Sequence, residues 1–281
     1  IIDTDPAMGT KGGDPEDCFA IMLAMNSPEL EILGITTVQG NVPVERGFSN
    51  AKFLIDSFQK DIPVHTGVSG TYDIERNGKR KWLSERKEME QITPMVEPAE
   101  NDLSAPSFIA KTCAKHSGEI ELITIGPLTN VAKALDEDPD LSKHIKKITM
   151  MAGAAKVPGN VTPAAEFNVW ADPESAAKVF SAGIDFTLVP LDVCHKTRFS
   201  RKQLESIGKN NHPFCQFVNE SVDPWLKINP NHNIIDQGLH LYDSLAVALS
   251  FLPELAEFKK AYVTVETKGE YTDGETVCEF N

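Results

Sequence analysis

Two groups of acids near the start of the chain have the types and spacing to do chemistry. Asp3 and Asp5 stand at alternate positions in Ile1-Ile2-Asp3-Thr4-Asp5-Pro6, and Asp14-Pro15-Glu16-Asp17 follows a short glycine-bearing stretch. The two isoleucines predict a short β-strand, whose side chains at alternate positions leave on one face. Pro6 ends the strand, Ala7 to Gly13 forms a loop, and an apolar helix begins near Glu16. In an open α/β sheet, ligands bind at the carboxyl ends of the strands. Acids gathered there repel one another unless a cation joins them, and a hard divalent ion with oxygen ligands meets that need. A solvated acidic loop that caps the following helix is the plainer explanation. On these residues alone both stand.

The elements that must position these acids alternate along the chain. Asp17 to Met25 is apolar nearly all round and predicts a buried helix. Glu31 to Val38 is a β-rich run, turned by Gln39-Gly40-Asn41. Val44, Phe48, Ala51, Ile55 and Phe58 mark one helix face, and Pro63 to His65 a third strand. Further on, helices are expected at Pro106–His116 and Leu128–Leu135, and another opens at Asp172-Pro173-Glu174. Strands are expected at Ile120–Ile125, Ile145–Met151 and Ile184–Leu191. Arg198–Ile207, His212–Trp225 and Leu239–Leu252 read as helices, with Asp243 in the first turn of the last. Tyr262 to Glu266 and the tail suggest a small β extension. The alternation predicts one α/β domain, a mostly parallel central sheet flanked by helices. Residues 67–104 interrupt the rhythm with charged and polar residues around Trp82, the pattern of an active-site lid or insertion. Part of it, near Glu85 to Gln91, has helical character.

Composition narrows the function. The 281 residues, 41% of them apolar, suffice for a sizeable core in one domain. A formal charge of -14 repels nucleic acid and anionic membranes, and suits a protein that collects cations. The five cysteines are scattered and form no CxxC, which points to a reducing, cytoplasmic compartment rather than to disulfides or zinc. No apolar run reaches the length of a membrane span. The opening acid-bearing strand leaves no signal peptide to be expected.

Asp3-Thr4-Asp5-Pro6, Gln39-Gly40-Asn41, Ile125-Gly126-Pro127-Leu128-Thr129-Asn130, the run Asn160 to Asn168 (Asn-Val-Thr-Pro-Ala-Ala-Glu-Phe-Asn) and Asp243 occur in the order and spacing of the nucleoside hydrolases. The resemblance spans nearly the whole chain, and the Asn160-to-Asn168 run is its most specific part. It implies a Rossmann-like nucleoside hydrolase fold and a calcium-dependent enzyme that cleaves ribonucleosides into ribose and a free base. By the same resemblance, Asp5 is a calcium ligand and the base that activates water. Asp17, Asp243 and the backbone carbonyl of Ile125 complete the protein ligands. Glu16, Asn41, Met151, Asn160, Glu166 and Asn168 surround the ribose, and a homodimer or homotetramer is implied.

The chain also departs from the family pattern. The gap from Asp5 to the acidic pair is seven residues longer than usual, and the pair is Glu16-Asp17 rather than Asp-Asp. Asp14 therefore competes with Glu16 for the ribose. Many members carry His just before the late aspartate to protonate the leaving base; here that residue is Tyr242. A tyrosine is a weak acid with a flat π-face, which favours stacking on a purine, with Trp82 as a second contact. Packing in the core is the alternative for Tyr242, as it is for Trp82. Two other functions fit the acids less well. A haloacid-dehalogenase-type phosphohydrolase shares Asp-x-Asp after its first strand, and a non-catalytic calcium- or nucleoside-binding protein would keep the ligands without the chemistry.

Overall fold

The computed structural model describes residues 1–77, 90–100, 102–209, 215 and 239–280. Six short strands make one parallel sheet: β1 (Ile2–Thr4), β2 (Ile35–Thr37), β3 (Val64–Thr66), β4 (Ile120–Thr124), β5 (Ile145–Met151) and β6 (Phe186–Val189). They lie in the order β3-β2-β1-β4-β5-β6. That order reverses between β1 and β4, so the segments that follow these two strands diverge and open a crevice at their carboxyl ends. The helix after β1, Glu16–Met25, belongs to one core, and the helix after β4, Thr129–Glu137, belongs to the other.

Alternation along the strands feeds both cores. Ile2, Ile123, Ile125 and Met151 pack with the helices Glu16–Met25, Val44–Ser57 and Asp243–Phe251. Leu122, Ile148 and Met150 pack with the helices Ala105–Lys115, Thr129–Glu137 and Pro173–Phe180. Helix starts follow local chemistry. Ser104 and Asp172 accept hydrogen bonds from the amides of Ser107 and Ser175, each with proline in the first turn.

Several elements differ from the sequence expectation. The second strand covers only Ile35–Thr37, because its partner β1 offers only Ile2, Asp3 and Thr4 for pairing. Leu239–His240 is strand rather than helix and pairs antiparallel with Arg198–Phe199 (β8 and β7), which delays the neighbouring helix to Arg201. The last long helix consequently begins at Asp243. The expected small β extension is present as β9 (Ala261–Val265) paired with β10 (Thr276–Phe280). His212–Trp225 lies almost wholly outside the described residues, as does most of Glu85–Gln91. No described helix is long and apolar enough to cross a membrane.

Both described flanks of the 67–104 segment are fastened to the body. Tyr72 lies under the ammonium groups of Lys133 and Lys178, 4.2 and 5.0 Å from its ring centre, and its amide donates to Asp172 at 2.7 Å. Arg76 donates to Asp273 at 2.6 Å, to the Thr267 carbonyl at 3.0 Å, and to Glu174. At the far flank, the amides of Ile92 and Thr93 donate to the carbonyl of Gly9 at 2.7 and 3.1 Å.

Breaking a buried ion pair costs about 3–5 kcal/mol. The carboxylates of Glu174 and Asp273 are 24% and 23% exposed, which lessens the loss. Arg76→Ala is therefore expected to lower stability by about 2 kcal/mol in urea unfolding. A change below about 0.5 kcal/mol would show that Arg76 is not an anchor.

Candidate active site

Asp5 lies just past the end of β1, fully buried in the crevice beside β4. Its Oδ2 accepts the amide of Asn41 at 2.6 Å, while its Oδ1 is buried without a hydrogen-bond partner. The β4 loop comes so close that a Cβ on Gly126 would fall 2.9 Å from that Oδ1, so a larger residue there would push on the Asp5 carboxylate. Asp17, in the first turn of its helix, accepts at Oδ1 from the Thr4 hydroxyl at 2.6 Å and the Asp5 amide at 3.1 Å. The Asn41 side chain donates to its Oδ2 at 3.4 Å. Thr4, Asp5, Asp17 and Asn41 thus join three segments of the chain at one point.

Glu16, expected beside the ribose, is buried with both carboxylate oxygens engaged. Its Oε2 accepts the amides of Tyr242 at 3.0 Å, Ser244 at 3.1 Å and Asp243, and its Oε1 accepts the Ser244 hydroxyl at 2.6 Å. A carboxylate on one helix therefore caps the amino end of another, where Tyr242 offers no side-chain cap. Asp14 accepts the Glu16 amide at 3.0 Å and is less buried than its neighbours. Asp3 accepts from the Thr36 hydroxyl at 2.6 Å and the Asn130 side chain at 2.8 Å.

The longer loop is itself built into the fold. Thr10 bridges Gln91, whose side chain donates to Asn50 at 2.8 Å, and Asn50 donates to the Pro6 carbonyl at 2.9 Å. These bonds tie the acidic loop to residues 90–93.

Electrostatics set the problem the site must solve. Burial, and then the charge of Asp17, hold the Asp5 carboxyl well above its usual range. Burial and the charges of Asp17, Glu16, Asp14 and Asp5 do the same to Asp243. Burial raises Asp17 to about 6 and Glu16 to about 8, against the pull of their hydrogen bonds. Among the described residues no lysine or arginine pairs with Asp5, Glu16, Asp17 or Asp243. Nor do the described residues bring three His, Cys, Asp or Glu side chains to the spacing of a metal's ligands. The donor set nevertheless suits a hard cation, being all oxygen and buried, with Oδ1 of Asp5 lacking any partner.

A second network lies on the far side of β4. Asn168 donates to the carbonyls of Ile125 at 3.2 Å and Met151 at 3.0 Å. Glu166 accepts the amides of Gly153 at 2.8 Å, Asn168 at 2.9 Å and Val169 at 3.3 Å, and so caps the short helix Phe167–Ala171. Asn160 is exposed and accepts the Phe167 amide at 2.9 Å. Ile125, Met151, Glu166 and Asn168 are therefore one unit, with Asn160 at its margin. Tyr242 is half-buried, its ring centre 6.1 Å from those of both His195 and His240, and burial holds its phenol above the ordinary range. Trp82 lies outside the described residues. Thr4 and Ser244 were missed by sequence reasoning; their only signal is adjacency to Asp5 and Asp243.

The family model described as inosine-uridine preferring nucleoside hydrolase matches residues 1–281. The chain belongs to this family. Among curated relatives it is 32% identical to the pyrimidine-specific ribonucleoside hydrolase RihA of Salmonella enteritidis, over 100% of this chain and 88% of that protein. It is 31% identical to probable uridine nucleosidase 2 of Arabidopsis thaliana, over 96% of this chain and 82% of the relative. Among solved structures, the purine-preferring ribonucleoside hydrolase from Gardnerella vaginalis superposes with a TM-score of 0.83 at 28% identity, covering 99% of this chain and 87% of that one. The chain is thus a nucleoside hydrolase, and the phosphohydrolase alternative is set aside.

Without divalent ions, this nucleoside hydrolase is expected to be most stable in mild acid and to weaken as pH rises through about 6 and about 8, the raised values of Asp17 and Glu16. A carboxyl whose pKa is higher in the folded chain than its unfolded value of about 4 keeps its proton preferentially in the native state. That preference disappears as pH passes the folded pKa. Melts in chelator from about pH 5 to about pH 8.5 check this, and a level or rising melting temperature would contradict it.

Proposed function

We propose that this nucleoside hydrolase cleaves the N-glycosidic bond of ribonucleosides with calcium held by Asp5, Asp17, Asp243 and the Ile125 carbonyl. The observation that carries the proposal is the buried, unpartnered Oδ1 of Asp5, set among acids that no basic residue neutralises. When bound, the cation acidifies its water and orients the sugar hydroxyls. Asp5 then accepts the proton of the attacking water, its other oxygen being fixed by the Asn41 amide. Asn41, Met151, Asn160, Glu166 and Asn168 bound the ribose, and the acids around the ring favour the positive charge of an oxocarbenium-like transition state.

For the leaving group we favour purines. The Tyr242 phenol is held towards its protonated form by burial, and it is a poor acid at neutral pH. Its ring offers a face on which a purine can stack, which aids protonation of N7 from solvent. Relatives named for pyrimidine and for purine preference both occur.

Asp5→Asn is expected to lower kcat for ribose release by at least about a hundredfold, the scale of a lost general base, with the fold intact. Wild-type kcat in this variant would remove Asp5 from that role. Tyr242→Ala is expected to reduce kcat/KM for inosine more than for p-nitrophenyl riboside, whose leaving group needs no proton. Equal losses on both, or a wild-type preference for uridine, would reduce Tyr242 to packing.

A further inference from the structure

We propose that Glu16 is a positioning residue: by capping the helix Asp243–Phe251 from outside, it holds Asp243 at the cluster and sets the site's affinity for calcium. The proposal rests on the cation site described above, and goes beyond it by giving Glu16 a task other than touching the sugar.

Three observations carry it. The first is that both carboxylate oxygens of Glu16 are engaged, by three consecutive amides and the Ser244 hydroxyl. The first four amides of a helix have no partner inside it, so a buried helix end needs acceptors from elsewhere. Here Tyr242 supplies no cap, and Asp243, the first helical residue, has its own amide on Glu16. The second is adjacency. Glu16 and Asp17 are consecutive, so one dipeptide supplies a candidate ligand and grips the backbone of another. The third is packing. The helices Glu16–Met25 and Asp243–Phe251 share one core and lie directly against each other, which fixes the distance the cap must span. Aspartate, the usual residue at the first place of the pair, is one methylene shorter. Glutamate supplies the reach to the neighbouring helix end.

The test compares Glu16→Ala, Glu16→Gln and Ser244→Ala with the wild-type chain, each stripped with chelator and titrated with calcium by calorimetry. Glu16→Ala is expected to weaken calcium binding at least tenfold. Glu16→Gln, whose carbonyl oxygen still accepts amides, should fall between it and wild type, and Ser244→Ala should lose a few-fold. Turnover lost in Glu16→Ala should return as calcium is raised, with KM for inosine at saturating calcium as in wild type. Wild-type calcium affinity in all three variants would overturn the proposal. So would a raised KM at saturating calcium in both Glu16 variants, which is the mark of a sugar contact. If Glu16→Ala fails to fold, Glu16→Gln and Ser244→Ala decide alone: weakened binding supports the clamp, and unchanged binding overturns it. A wild-type chain that binds calcium, more weakly in the Glu16 variants, yet releases no ribose from any ribonucleoside would sink the proposed chemistry and leave the clamp standing. A wild-type chain that binds no calcium would overturn both.

Discussion

Like charges buried together at the reversal point of a parallel sheet are the constraint on which the rest of this molecule depends. Two unit charges about 4 Å apart repel by about 4 kcal/mol at an effective dielectric of 20. Asp5, Asp17, Asp243 and Glu16 are all buried, and no basic residue among those described offsets them. Such a group persists only if protons or a cation neutralise it and if the surrounding backbone leaves it no escape. The fold supplies the second condition. Thr4 and the Asp5 amide hold Asp17, the Asn41 amide holds Asp5, and Gly126 lets the β4 loop close over it.

The same logic explains why the β5 side of the crevice is made of neutral amides and capped acids. Glu166 is as buried as Glu16 and is likewise satisfied by backbone amides at a helix end. Asn168 ties the β4 and β5 ends together through the carbonyls of Ile125 and Met151. Two helix amino ends thus meet two buried glutamates, and each pairing lowers the cost of keeping a carboxylate away from water. The seven extra residues of the acidic loop do not disturb this arrangement, because Thr10, Gln91 and Asn50 absorb them into a separate hydrogen-bonded network.

Much of the fold was legible in the sequence because its signals are local. The face Val44, Phe48, Ala51 and Ile55 is buried as the spacing predicts, Ile145–Met151 is a strand from end to end, and Asp172 caps the helix it announces. The errors came from non-local pairing. Leu239–His240 has the composition of a helix start but is drawn into a two-stranded ribbon by Arg198–Phe199. Of the site, the run Asn160 to Asn168 and the position of Asp243 could be read from motif and order. The partners of Glu16 could not, since nothing in a linear sequence says that a first-turn glutamate will cap a helix more than two hundred residues away.

The most direct test of the central claim is calorimetric titration of calcium into chelator-stripped protein at about pH 7, repeated in buffers of different ionisation enthalpy. One ion per chain should bind, and the apparent heat should vary with the buffer because protons leave the cluster as the ion enters. Absence of binding, or binding with no proton release, would mean that the buried acids are neutralised in some other way.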